Sequence, residues 1–136
     1  MSQSLERLLT SPYVKAMGVR FDQHGDELTG VMAFAPHIVG NPLIPALHGG
    51  AVGAFMEMTA SASLLCAAEL EGLPKTIDVS VDYLRPAAAK DVYARAVIGR
   101  LGSRVANVRV EAWQDRREAP VATLHAHFMI KRVDAA

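Results

Sequence analysis

Between Leu28 and Ala68 the chain carries one formally charged side chain, Glu57. Residues 49–68 are apolar enough, and long enough, to raise the question of a membrane span. Glu57, Thr59, Ser61 and Ser63 interrupt them, and the bulk is alanine and glycine rather than leucine. A buried helix is the better reading, starting near His48 or Gly49 and running to about Leu70, with Gly72 and Pro74 as its stop. A helix that is apolar nearly all round must be covered nearly all round. That demand governs what the rest of the chain can be.

The flanking sequence reads as the cover. Ser4 to Met17 has roughly helical apolar spacing, divided at Pro12 and ended by Gly18. Val19–Phe21 and Leu28–Phe34 read as two strands joined across His24-Gly25-Asp26. Pro36 to Leu47, with Gly40, Pro42 and Pro45, reads as a fixed extended loop. After the helix the pattern has period two. Ile77, Val79, Val81 and Tyr83 share one face, and Asp78, Ser80 and Asp82 the other. Val92, Ala94, Ala96 and Ile98 form the next inward face, and Gly99 and Gly102 mark a bend or bulge. Val105–Trp113 and Val121–Lys131 complete about four strands. One antiparallel sheet curled about one helix is an α+β layout, and its edge strands would suit cover by another subunit.

At 136 residues the chain predicts one domain, 1–136. Aromatic residues make up only 6%, so the core must come from aliphatic side chains and close backbone contacts. The net charge is zero but unevenly placed: residues 1–74 hold three Lys/Arg and seven Asp/Glu, residues 75–136 eleven and seven. With no basic run, a nucleic-acid partner is not expected. The basic part could hold a small phosphate-bearing ligand, or could be no more than solvated strand faces. Cys66 is the only cysteine, which fits a reducing, cytoplasmic setting. Its apolar neighbours predict a buried structural thiol. Met1 to Thr10 has no secretory pattern, and neither a leader nor a membrane partner is expected.

Glu57 is the residue that does not belong in a core. Its helical neighbours are Gly53, Ala54, Ala60 and Ser61, and burying an unpaired carboxylate costs several kcal/mol. A partly desolvated carboxylate can act as base or nucleophile. The competing reading is an exposed stripe, or a carboxylate tied to a basic residue from elsewhere. His48-Gly49-Gly50 stands at the predicted helix start. There the first N–H groups lack internal partners, the dipole adds positive potential and glycine lets a ligand approach the backbone. Such a turn can stabilise a developing oxyanion, or it can be a tight junction with no ligand. Gly49 and Glu57 lie about 12 Å apart along a helix axis. They could serve one reacting carbonyl only if two subunits share the site, which predicts a dimer.

These stretches resemble the hotdog thioesterase superfamily, especially the phenylacetate-pathway type and the similar 4-hydroxybenzoyl-CoA thioesterases with a helical glutamate. The resemblance rests on NPLIPALHGGAVGAFMEMTASAS (Asn41 to Ser63), TIDVSVDYLRPA (Thr76 to Ala87) and EAPVATLHAHFMI near the end, and spans most of the chain. It implies a hotdog fold and hydrolysis of an acyl-CoA thioester by a homodimer or dimer of dimers, with no cofactor. It makes Glu57 the catalytic carboxylate and Gly49 the backbone donor to the carbonyl. Ser61, one turn after Glu57, matches a hydroxyl that orients water, and Thr76 a hydroxyl near the site. The family often has Asn or Gln six residues before the His. Here that position is Pro42, and Asn41, one step further away, would fill the role.

His48 could donate to substrate or fasten the helix start. Gly50, Arg85 and Arg104 are candidate substrate contacts, the arginines, with Arg100, for CoA phosphates. His125 and His127 share a strand face. They lack an apparent third ligand, so no metal site is expected, and two exposed histidines are the simpler reading. Two rival functions remain on the same fold. One is an enoyl-CoA hydratase or dehydratase, whose usual His–acid motif is missing here. The other is a non-catalytic acyl-CoA binding module, for which Glu57 would be dispensable.

Overall fold

The computed structural model of the protein describes residues 3–133. The apolar stretch forms α3, Gly49–Ala67, as its composition requires. By length and composition α3 could cross a membrane, but the protein's own sheet and N-terminal segment bury ten of its residues. The helix is shorter than the pattern predicts. Ala68 is already extended, and Leu70 bridges to Arg132, so the chain leaves the helix before reaching Gly72.

Two short helices precede it, α1 (Gln3–Leu9) and α2 (Pro12–Ala16), divided where Pro12 takes the first helical position. Gly18 ends this lead with φ +67°, a conformation that favours glycine. Strands β1 (Val19–His24) and β2 (Glu27–Met32) form a hairpin about Gly25. The proline-rich loop is more ordered than predicted. After a 3-10 turn at Pro36–Ile38, β3 (Val39–Asn41) and β4 (Ala46–Leu47) pair as a small separate sheet. After α3 come β5 (Lys75–Tyr83), β6 (Val92–Leu101), β7 (Val105–Trp113) and β8 (Ala122–Met129). The main sheet has order β1-β2-β6-β7-β8-β5, antiparallel throughout.

The inward residues of β6, β7 and β8, among them Val92, Ala94, Val108, Val110, Leu124, Ala126 and Phe128, are buried against α3. The register shift beside Gly99 confirms the predicted bulge there. Close approach of helix and sheet is concentrated at Gly30. A Cβ built there would stand 2.5 Å from Thr59 Oγ1 and 3.0 Å from Phe55 Cε1, both on fully buried side chains of α3.

The cover runs out at β5. This strand has β8 on one side and no strand on the other among the described residues. Ile77, Val79 and Tyr83, which the sequence pattern assigns to an inward face, remain 51%, 40% and 56% exposed. Cys66 corrects a second expectation. It is exposed, because the last turn of α3 passes a gap between the β1–β2 hairpin and β6. Partial burial still pushes its thiol pKa up, which disfavours the reactive thiolate.

The tight contact at Gly30 makes a direct prediction. Gly30→Ala should lower stability by about 1–3 kcal/mol through overpacking. Gly30→Ala with Thr59→Ala should recover part of that loss. Urea unfolding at one fixed protein concentration measures both, and an unaltered Gly30→Ala midpoint would contradict the packing argument.

Candidate active site

The start of α3 is built by a backbone that leaves few polar groups unused. His48 is the N-cap, and its Nδ1 accepts the Gly50 N–H at 2.9 Å. An imidazole accepting at Nδ1 carries its proton, when neutral, on Nε2, which leaves a second donor on this exposed side chain. The His48 N–H donates to Ile38 O at 2.8 Å, and its carbonyl accepts from Ala51 and Val52 N–H at 3.0 and 3.2 Å. The Gly49 carbonyl accepts from the Tyr83 hydroxyl at 2.7 Å. The Gly49 N–H has no acceptor among the described residues. It is therefore an unclaimed donor at the positive end of the helix dipole.

The two glycines are small for different reasons. A Cβ on Gly49 would meet the Tyr83 ring at 3.3 Å, and one on Gly50 would meet the His48 ring at 2.8 Å. Gly50 thus makes room for the cap, and its own N–H is spent on His48. Gly49 makes room for Tyr83 while keeping its N–H open.

Glu57 lies further along α3, half-buried. It forms no ion pair with Lys, Arg or His among the described residues, so the idea of a carboxylate tied to a distant base is not met within this chain. Its partner is the Thr76 hydroxyl, which donates to Oε2. Plain alternation would put Thr76 on the outer face with Asp78 and Ser80. A register shift between Thr76 and Asp78 in the β5–β8 pairing inserts Ile77 as a bulge. Thr76 is thereby turned towards the helix while Asp78 keeps facing out to His127. Bulges re-aim side chains in this way beside functional sites. Ser61 is half-buried one turn beyond Glu57, and its hydroxyl has no partner among the described residues.

The other candidates are spread out. Asn41 is exposed, and its Oδ1 accepts the Leu43 N–H at 3.1 Å, closing the β3–β4 turn. Arg85 lines a largely apolar cavity of about 390 Å³ together with Gly49, Val52, Tyr83 and Val121. Arg104 lies in the β6–β7 turn, beside Lys131 and Arg132. Val105 and Lys75 both pair with Met129, whereas Tyr83 pairs with Ala122. Arg85 and Arg104 therefore occupy opposite ends of β5. His125 is exposed, but His127 is half-buried and bonded through Nδ1 to Asp78 Oδ1 at 2.8 Å. That hydrogen bond holds the Asp78 carboxyl below its ordinary pKa. No group of three His, Cys, Asp or Glu that could hold a metal occurs among the described residues.

Tyr83 is the site residue that sequence reasoning missed. It reads as one more apolar residue on an inward face, and only the fold reveals that its hydroxyl meets Gly49.

The fold is that of a known class. A family model described as the thioesterase superfamily matches residues 45–121, more than half of the chain, and the protein belongs to that superfamily. It is a thioester hydrolase, which sets aside the hydratase and the passive binding module. The chain is 28% identical to the medium/long-chain acyl-CoA thioesterase YigI of Escherichia coli, over 88% of this chain and 85% of that protein. A crystal structure of a Chromobacterium violaceum protein is 39% identical, with a TM-score of 0.74, over 96% of this chain and 91% of that one. A variant of the phenylacetic acid degradation protein PaaI from Thermus thermophilus shares the fold at 22% identity. Its TM-score is 0.73, over 90% of this chain and all of that one.

The capping geometry can be tested separately from catalysis. His48→Ala should cost about 1 kcal/mol of stability through loss of the helix cap, and His48→Asn should cost less. Equal stability of the three proteins in urea unfolding would show that the cap contributes nothing.

Proposed function

We propose that the protein hydrolyses acyl-CoA thioesters in a site shared between two copies of the chain. The observation that carries this reading is the layout of β5. Glu57 is bonded to Thr76 at one end of the strand, and Gly49 to Tyr83 at the other. Within one chain Glu57 and Gly49 are about 12 Å apart along α3, too far to serve one carbonyl. If β5 pairs antiparallel with β5 of a second copy, the two ends are exchanged. The Thr76 end of one copy then lies beside the Tyr83 end of the other, and each Glu57 approaches the Gly49 of its partner. The open edge of β5 and its exposed apolar side chains support that pairing.

In such a site the thioester carbonyl oxygen points at the Gly49 N–H. Thr76 holds Glu57 Oε2, which leaves Oε1 to attack the carbonyl carbon or to take a proton from a water that does. Negative charge gathers on the carbonyl oxygen, where the N–H and the helix dipole stabilise it. When water attacks, the C–S bond then breaks and the thiolate leaves with the proton Glu57 took, giving CoA and the free acid. When Glu57 attacks, CoA leaves a mixed anhydride on Glu57 that water then hydrolyses to the free acid. In this reading Ser61, one turn beyond Glu57, holds the water, and His48 Nε2–H donates beside Gly49. Arg85 of one copy and Arg104 of the other are brought to the same end of the paired strands, as candidates for the CoA phosphates. The likeness to YigI favours acyl-CoA as the substrate class.

Two experiments test this. Glu57→Gln should abolish thiol release from a panel of acyl-CoA esters, leaving the melting curve near wild type; near-normal turnover would remove Glu57 from the mechanism. Gly49→Val should fold, dimerise and lose about 100- to 1,000-fold in rate. Mixed with Glu57→Gln under conditions of subunit exchange, it forms dimers in which one site holds both defects and the other neither. Activity should recover towards half the wild-type value per mixed dimer. Persistent inactivity despite demonstrated exchange, or an active monomer in sedimentation, would overturn the shared site.

A further inference from the structure

We infer that Tyr83 is the positioning residue of the oxyanion donor, its phenol fixing the peptide that follows Gly49 and so limiting the torsions through which the Gly49 N–H could turn. This rests on the reading of Gly49 given above. Glycine has two soft torsions and no side chain to restrict them. The Gly49 N–H lies in the plane it shares with the His48 carbonyl, and the plane after Gly49 bears on it through the two glycine torsions. The plane before Gly49 is tied through the His48 carbonyl, which accepts from Ala51 and Val52. The plane after it joins Gly49 to Gly50 and is gripped at both edges. Its N–H donates to His48 Nδ1 at 2.9 Å, and its C=O accepts from Tyr83 at 2.7 Å.

Three of these four bonds are made within the turn itself. The Tyr83 bond comes from 34 residues away, on the edge strand. It ties the donor to β5, the strand whose Thr76 also holds Glu57. The phenol ring is half exposed but lies close over two glycines. Cβ atoms built on Gly49 and Gly53 would meet it at 3.3 and 3.2 Å, so the first two turns of α3 pack directly beneath it. One rigid strand thereby orients the carboxylate at one end and the donor at the other. If two β5 strands pair, the two halves of each site meet at a spacing set by strand geometry rather than by a flexible loop.

Tyr83→Phe keeps the ring and its packing and removes only this hydrogen bond. We expect kcat for acyl-CoA hydrolysis to fall about tenfold, part of the loss expected for deleting the donor outright. KM should stay within about twofold, since ground-state contacts are kept. The factor should be the same for short and long acyl chains. A spectroscopic readout separates positioning from general damage. A ketone analogue of acyl-CoA, with CH2 in place of the thioester sulfur, should show a carbonyl stretch lowered on binding wild type. In Tyr83→Phe the stretch should move back towards the free value. A wild-type kcat with an unmoved carbonyl band overturns the inference while leaving Glu57 and Gly49 in place. A loss confined to KM, or one that varies with chain length, makes Tyr83 a wall of the substrate cavity and also overturns it. A carbonyl band that is not lowered even on wild type removes Gly49 as the donor, and the role of Tyr83 falls with it.

Discussion

The need to cover α3 organises this molecule. Ten of its residues are buried, from Ala51 to Leu65, around most of the helix, and Ala54, Glu57 and Ser61 share the stripe that is not. One sheet does most of the covering, and it does so by curling. A curled sheet with two free edges cannot close around a helix completely. The place where cover fails is β5, and Glu57 looks out there. Half-burial and one hydroxyl partner reconcile an otherwise costly carboxylate with an apolar helix. The same incompleteness leaves Val79 and Ile77 partly in water, a state that a second β5 would relieve.

Much of the fold is legible in the sequence because it rests on local chemistry. Gly18 and Gly25 sit where turns demand positive φ, and Pro12 divides the N-terminal lead where its ring can open a helix. The strands after the helix follow from period-two alternation. Glu57 stands out because charge is absent for many residues on either side. His48-Gly49-Gly50 stands out because two glycines at a helix start are unfavourable without a reason for close approach.

What was not legible depends on partners far away in the chain. Thr76 faces Glu57 only because Ile77 forms a bulge, and the bulge is a property of how β5 pairs with β8. Nothing in KTIDVSVDY requires it locally. Cys66 is flanked by leucine and alanine, which suggests burial. Whether a last helical turn is covered depends on where β2 and β6 diverge, and there they leave an opening lined by Gln23, Glu27, Arg95 and Ile98. The early end of α3 is likewise tertiary. Leu70 leaves the helical path to bridge Arg132, and Ser4 Oγ donates to the Leu70 carbonyl from α1.

The two glycines at the start of α3 do different things. A motif treats the two glycines as one feature that admits a ligand. The hydrogen bonds divide them. Gly50 gives its N–H to the His48 ring and is small so that the ring can sit there. Gly49 gives its carbonyl to Tyr83 and keeps its N–H. The first four N–H groups of any helix lack internal partners, so an open donor at a helix start is common. An open donor whose flanking peptide planes are both tied is a stronger condition. It means the N–H has little freedom to reorganise. A preorganised dipole is worth more to a transition state than a mobile one of equal strength. The turn is therefore better described as a single fixed donor with three supports, His48, Tyr83 and the helix itself, than as a glycine-rich opening.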